Sequence, residues 1–206
     1  MNTTTLYYIH DPMCSWCWGF ERSWSALKQQ LPASIKIQYL LGGLAADTDQ
    51  PMPEVMQQNI KKTWQQIQTD IPSTEFNFDF WHQTTPRRST YPACRAVIAA
   101  RQQDAEYSMI KAIQQAYYCQ AKNPSNIDIL LNCAAQIKLD PKHFEHDLLS
   151  DKTDEIFKKE RQLCQQLYIH SYPSLLLQHQ HKEYPIQIYY TQAELILKQI
   201  LNIIAA

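Results

Sequence analysis

The stretch Tyr7-Tyr8-Ile9-His10-Asp11-Pro12-Met13-Cys14-Ser15-Trp16-Cys17-Trp18-Gly19-Phe20 carries a strand, a break and a helix start in quick succession. The apolar, aromatic run Leu6 to Ile9 reads as a buried strand, and Asp11-Pro12 interrupts it. From Trp18 onward Phe20, Trp24 and Leu27 recur at helical spacing and share one face. Cys14 and Cys17 therefore fall where the strand hands over to the helix, at the helix N-terminus. The unsatisfied N–H groups and positive dipole end there favour a thiolate. A free thiol, with a pKa of about 8.5, can become a nucleophile near neutral pH in such a place. A second thiol one turn later can resolve the mixed disulfide that results.

Other roles for the pair are half of a zinc site, two inert buried thiols, or a structural disulfide. Structural zinc takes four ligands, usually from two such pairs. Cys94, Cys119, Cys133 and Cys164 are isolated, and no His-x3-5-His run accompanies them, so no metal site is expected. The strand-to-helix position favours redox chemistry.

Composition narrows the classes further. A chain of 206 residues fits one domain, or one domain carrying an insertion, and is long enough to bury a core. A net charge of −1 argues against nucleic-acid binding by phosphate neutralisation. No apolar run reaches the roughly eighteen residues that a membrane span needs. Met1-Asn2-Thr3-Thr4-Thr5 has no basic n-region and the first apolar run is short, so a cytoplasmic protein with mostly reduced cysteines is expected. Three glycines in all disfavour a turn-rich all-β fold.

In chain order, the pattern predicts a strand near 5–10 and a helix over about 16–30, ended by Leu31-Pro32. A second strand, Ile35 to Leu41, stops at Gly42-Gly43, and a right-handed crossover would set the two strands parallel. Residues 50–150 show helical periods only. Pro53 opens a helix carrying Met56, Ile60, Trp64 and Ile67. The aromatic segment Pro72 to Thr90 is read as irregular, either plugging a core or lining a groove, with plugging favoured. Further helices begin at Tyr91, run through Ile110 to Ala121, start at Ser125 or Asn126 as cap, and open at Asp140-Pro141. The last quarter returns to α/β, with a helix carrying Ile156, Leu163 and Leu167. After Tyr172-Pro173 come an apolar strand, Leu175 to Leu177, and a partner strand, Pro185 to Tyr189. Pro185 marks that partner as an edge strand. Thr191 and Glu194 have capping-box spacing for a final helix.

This order resembles the thioredoxin fold, and more narrowly the DsbA family of thiol–disulfide oxidoreductases, whose helical domain is inserted after the second strand. Asp11-Pro12-Met13-Cys14-Ser15-Trp16-Cys17-Trp18-Gly19-Phe20, Leu41-Gly42-Gly43-Leu44 and Tyr91-Pro92-Ala93-Cys94-Arg95-Ala96 are similar to patterns of a cytosolic bacterial subfamily. The resemblance spans nearly the whole chain. It implies an α/β, thioredoxin-like fold with an inserted all-α helical domain. Residues 1–48 and 151–206 would form the thioredoxin-like domain and 49–150 the insert. It also implies a cis bond before Pro173, facing the CxxC, with the Tyr172 backbone open to an extended substrate. DsbA carries Pro-His between its cysteines, whereas Ser15-Trp16 brings no positive charge, so a less oxidising disulfide is expected here. The related kappa glutathione transferases and 2-hydroxychromene-2-carboxylate isomerases typically place Ser at the first position; Cys14 retains the thiol.

The expected activity is protein-disulfide oxidoreductase or isomerase chemistry, with protein or peptide thiols and disulfides as partners. Cys14 attacks, Cys17 resolves, Ser15 and Trp16 tune the couple, and Tyr172 and Pro173 receive substrate. No tightly bound cofactor is required, and glutathione is a candidate cosubstrate. Cys14 is expected to be the more exposed and reactive thiol, with Cys17 shielded by Trp18 and Phe20. Asp11 either acts on the Cys17 proton or caps the helix. Cys94 is either a further reactive thiol or a small buried packing residue; Cys119, Cys133 and Cys164 read as packing residues, and His143 and His146 as a solvated helix face. Two rivals remain: a glutathione-dependent transferase or isomerase of the kappa type, and a non-catalytic peptide-binding module.

Overall fold

The computed structural model describes residues 4–205. Its single sheet has the order β2-β1-β3-β4, formed by Thr4–His10 (β1), Ile35–Leu41 (β2), Ser174–His179 (β3) and Lys182–Ile186 (β4). β1 runs parallel to β2 and antiparallel to β3, so one strand near each end of the chain meets at the centre. The side-chain alternation of β1 separates two cores. Leu6 and Tyr8 pack with Phe20, Trp24 and Leu27 of α1 (Ser15–Gln30) and with Ile196 and Ile200 of α9 (Ala193–Ile204). Ile9 packs on the other face with Leu40, Leu176 and Cys164, the last from α8 (Asp151–Gln166).

Between β2 and α8 the described residues form helices and loops: α2 (Glu54–Asp70), α3 (Phe80–Gln83), α4 (Tyr91–Arg101), α5 (Glu106–Gln114), α6 (Ile127–Gln136) and α7 (Pro141–Leu148). α5 continues into one π-helical turn, Gln115–Cys119, instead of a single helix to Ala121. The aromatic segment does plug a core. Phe76, Phe80 and Trp81 are buried against Trp64, with ring centroids 4.8, 5.9 and 4.9 Å away, and Phe80–Gln83 adds a helical turn within the stretch read as irregular. Among the described residues, no helix is long and apolar enough to cross a membrane.

Three expected local features differ. β4 begins at Lys182, because Gln180 and His181 both adopt left-handed φ (50° and 63°) and close a two-residue hairpin turn. It ends at Ile186 because the Gln199 side chain takes both the N–H and the carbonyl of Gln187, at 3.0 and 3.1 Å, in place of a strand neighbour. Pro185 still lies on the edge strand, opposite Leu176. The final helix starts at Ala193 with Gln192 at its N-cap, one residue too late for Thr191 to cap it. Asn126 precedes α6, but its side chain accepts from Arg87 at 2.7 Å and caps nothing.

The scarcity of glycine shows at the helix ends. Asp104, Lys138 and Tyr168 take left-handed φ of 55°, 61° and 54° where glycine usually closes a helix. The amides of Ala105, Leu139 and Ile169 then reach back to the carbonyls of Ala100, Ala134 and Cys164. Lys138 is exposed and Tyr168 is 82 % exposed, so neither side chain offsets the strain by packing. Lys138→Gly and Tyr168→Gly are expected to raise unfolding stability by about 1 kcal/mol each. Urea unfolding at constant m-value would measure it, and a loss of stability in both would contradict the assignment.

Candidate active site

Cys14 stands at the N-cap of α1 with extended φ and ψ (−82° and 118°), and the helix begins at Ser15. Its amide donates to the Asp11 carbonyl at 3.0 Å and its carbonyl accepts from Trp18 N–H at 3.0 Å, so the turn and first helical bond both fix it. Its Sγ donates to the Tyr172 carbonyl at 3.4 Å. The Tyr172–Pro173 peptide is cis. The Tyr172 ring lies over Gly42, where an added Cβ would sit 1.9 Å from the ring Cζ. No side chain larger than glycine fits there without moving Tyr172.

Cys17 is wholly buried, while Cys14 is 6 % exposed, so the more accessible thiol is the first one. Burial pushes the Cys17 thiol well above its ordinary value, the neighbouring Cys14 adds to the rise, and the Asp11 backbone hydrogen bond opposes it. Trp18 stacks on Tyr118 at 5.6 Å and donates to the Glu75 carbonyl at 2.9 Å, and the Phe20 ring lies 5.9 Å from those of both Tyr8 and Tyr190. The shielding expected from Trp18 thus involves tyrosines brought in from β1, the π-turn and the segment before α9. Ser15 Oγ accepts from Trp64 Nε1 at 2.9 Å, which joins the CxxC to α2. The Trp16 ring lies 5.2 Å from that of Tyr190.

Asp11 does not cap the helix. It is fully buried; Oδ1 accepts from Met13 N–H and Oδ2 from Leu44 N–H, both at 2.7 Å, tying the β1–α1 turn to the segment after β2. Burial raises its pKa, and bonds from Thr90, Leu44 and Met13, then the charge of Arg88, work against the rise. Cys94 is buried beside Asp11; burial first, then the charges of Asp11 and Glu160, hold its thiol up. It packs beneath the turn and does not reach the surface. Cys133 and Cys164 are buried, Cys119 is half-exposed on the π-turn, and His143 and His146 are exposed. Among the described residues, no three His, Cys, Asp or Glu side chains converge as metal ligands.

Sequence reasoning did not single out Trp64, Tyr118 or Tyr190 as parts of the site. All three approach from distant segments, and only the aromatic pairs Tyr117-Tyr118 and Tyr189-Tyr190 were visible as a signal.

Comparisons with known proteins agree on this architecture. A family model described as thioredoxin matches residues 7–199. A crystal structure of a candidate protein disulfide isomerase from Nitrosomonas europaea is 25% identical with a TM-score of 0.84, covering 98% of this chain and 97% of that one. The cytosolic disulfide reductase DsbM of Pseudomonas aeruginosa superposes with a TM-score of 0.82 at 19% identity, covering 98% and 100% of the two chains. The ClpXP adapter protein SpxH of Halalkalibacterium halodurans is 22% identical over 177 residues, 83% of this chain and 57% of that protein. The chain thus spans little more than half the length of that relative.

His10, next to Asp11 at the end of β1, is fully buried and stacks on Tyr8 at 4.8 Å with neither ring nitrogen partnered. Burial, with Arg101 adding, lowers its pKa to about 3. The unfolded chain binds this proton below about pH 6.5 and the folded protein does not, so stability falls as pH drops through that window, by about 1.4 kcal/mol per unit. His10→Phe is expected to remove that slope. Urea melts at pH 7 and pH 5 should show the wild type losing about 2 kcal/mol more than the variant; equal losses would contradict the assignment.

Proposed function

The chain belongs to the thioredoxin family, with the DsbA-like arrangement of sheet and helical insertion, and we propose that it is a thiol–disulfide oxidoreductase working through Cys14 and Cys17. The observation that carries the reading is the asymmetry of the pair. Cys14 sits at the helix N-cap against the Tyr172 carbonyl, and Cys17 lies directly beneath it, out of water.

In this reading Cys14 Sγ attacks a substrate disulfide as the thiolate. The substrate S–S bond breaks as the Cys14–substrate bond forms, and the departing thiolate takes a proton from solvent. Cys17 then loses its proton and attacks Cys14 Sγ, which expels the second substrate thiol and leaves the Cys14–Cys17 disulfide. The substrate gains two electrons and the pair loses two. A low-molecular-weight or protein dithiol resets the enzyme, and run backwards the same steps oxidise dithiols. Burial keeps Cys17 protonated until the mixed disulfide forms, which suits a resolving thiol. Ser15 and Trp16 face the pair through Trp64 and Tyr190 and would set its potential; Tyr172 and Pro173 would border the substrate. Residues 1–48 and 151–206 would act as the thioredoxin-like domain and 49–150 as the insert that walls the site.

Glutathione as the resetting thiol is supported by the fold neighbour DsbM, whose structure with GSH has a TM-score of 0.79 to this chain. That neighbour is described as cytosolic, which supports the same compartment here. A second reading, a module that docks a partner without turnover, is supported by the likeness to SpxH, an adapter.

The test separates the two thiols. Reduced Cys17→Ser mixed with a model peptide disulfide should accumulate a stable adduct on Cys14, read by intact-mass spectrometry, while Cys14→Ser should trap almost none. Equal trapping by both variants would overturn the roles, and no adduct with either would favour the docking module.

A further inference from the structure

The arginines of this chain divide in an informative way. Arg87, Arg95 and Arg101 have side chains only 21%, 19% and 30% exposed, and each holds a carboxylate: Asp49, Asp47 with Asp154, and Glu106 with Glu160. A guanidinium partly withdrawn from water loses hydration, and a carboxylate partner normally restores it. Arg88 and Arg161 are half-buried too, yet neither has a carboxylate within ion-pair distance among the described residues.

The Arg161 guanidinium lies 4.4 Å above the Tyr91 ring and 5.8 Å from that of Phe157. Tyr91 and Phe157 enclose Gly43, where an added Cβ would lie 2.8 and 2.7 Å from their rings. Adjacent Gly42 carries the Tyr172 ring, and the Tyr172 carbonyl accepts from Cys14 Sγ. Arg161 thus sits on the wall that begins at the attacking thiol, close enough to Tyr172 to oppose the rise that burial gives its hydroxyl. An arginine stacked on an aromatic face keeps its N–H edges free for a bidentate contact with a carboxylate. Arg88, the other unpaired arginine, acts elsewhere: its charge opposes the rise that burial gives the Asp11 carboxyl.

We infer that Arg161 is a specificity-determining residue that selects peptide disulfides bearing a carboxylate beside the scissile bond. The unpaired guanidinium would regain, from substrate, the anionic partner that Arg87, Arg95 and Arg101 find within the chain. This rests on the thiol–disulfide exchange proposed above.

The probes are two short peptide disulfides, identical except for Glu or Gln on either side of the cysteine. The wild type should reduce the Glu peptide with a kcat/KM about tenfold higher, equivalent to roughly 1.4 kcal/mol of recognition. Arg161→Gln should lower that preference while leaving turnover of the Gln peptide unchanged, which also reports an intact fold. Lys198→Gln, an exposed cation on α9, should leave the preference as it is. Wild-type kcat/KM values equal for the two peptides, or a loss in Arg161→Gln shared equally by both, would overturn the inference while exchange itself stands. Reduction of neither peptide by the wild type would overturn the exchange reading and this inference with it.

Discussion

The site depends on a carboxylate that no water reaches. Burying Asp11 would cost several kcal/mol if it were left unpaired. Its two oxygens instead take the Met13 and Leu44 amides through short, charge-assisted bonds. One oxygen holds the turn that presents Cys14, and the other holds the chain just beyond Gly42 and Gly43. Those glycines receive the rings of Tyr172, Tyr91 and Phe157. The CxxC turn, the Tyr172 wall and the beginning of the helical block are therefore aligned through one side chain.

The two thiols inherit their difference from that frame. Cys14 belongs to the turn and reaches the Tyr172 carbonyl at the rim. Cys17 belongs to the first turn of α1, whose inner face is committed to the sheet core, so it is sealed. The helical block contributes directly to the chemistry's surroundings. Trp64 reaches Ser15 from α2, and Tyr118, buried with Tyr117 on the π-turn, stacks on Trp18. A wide turn of this kind often marks a functional place in a helix.

Much of this was legible because it is local. The apolar run of β1, the helical spacing of Phe20, Trp24 and Leu27, and the break between them place Cys14 and Cys17 without reference to the rest of the chain. The edge position of β4 follows from one proline. What the sequence hid depends on partners far along the chain. The Thr191–Glu194 spacing suggests a cap, but a helix that starts one residue too late leaves it unused. Asn126 stands in the capping position, yet Arg87 claims its side chain. Asp11 looked like a cap or a proton acceptor because its distant partner, Leu44, carries no side-chain signal for a backbone amide bond. Tyr190 and Trp64 gain meaning only when the fold brings them against Trp16 and Ser15, and Arg161 only when it stacks on Tyr91.

The most direct test is equilibration of the protein across a series of reduced-to-oxidised glutathione ratios, followed by acid quench, alkylation and peptide mapping. The account predicts a single two-electron transition in which Cys14 and Cys17 form one disulfide while Cys94, Cys133 and Cys164 remain thiols. Its midpoint should lie below about −120 mV, the value of a strongly oxidising couple. A Cys14–Cys17 disulfide absent at every ratio would contradict the account.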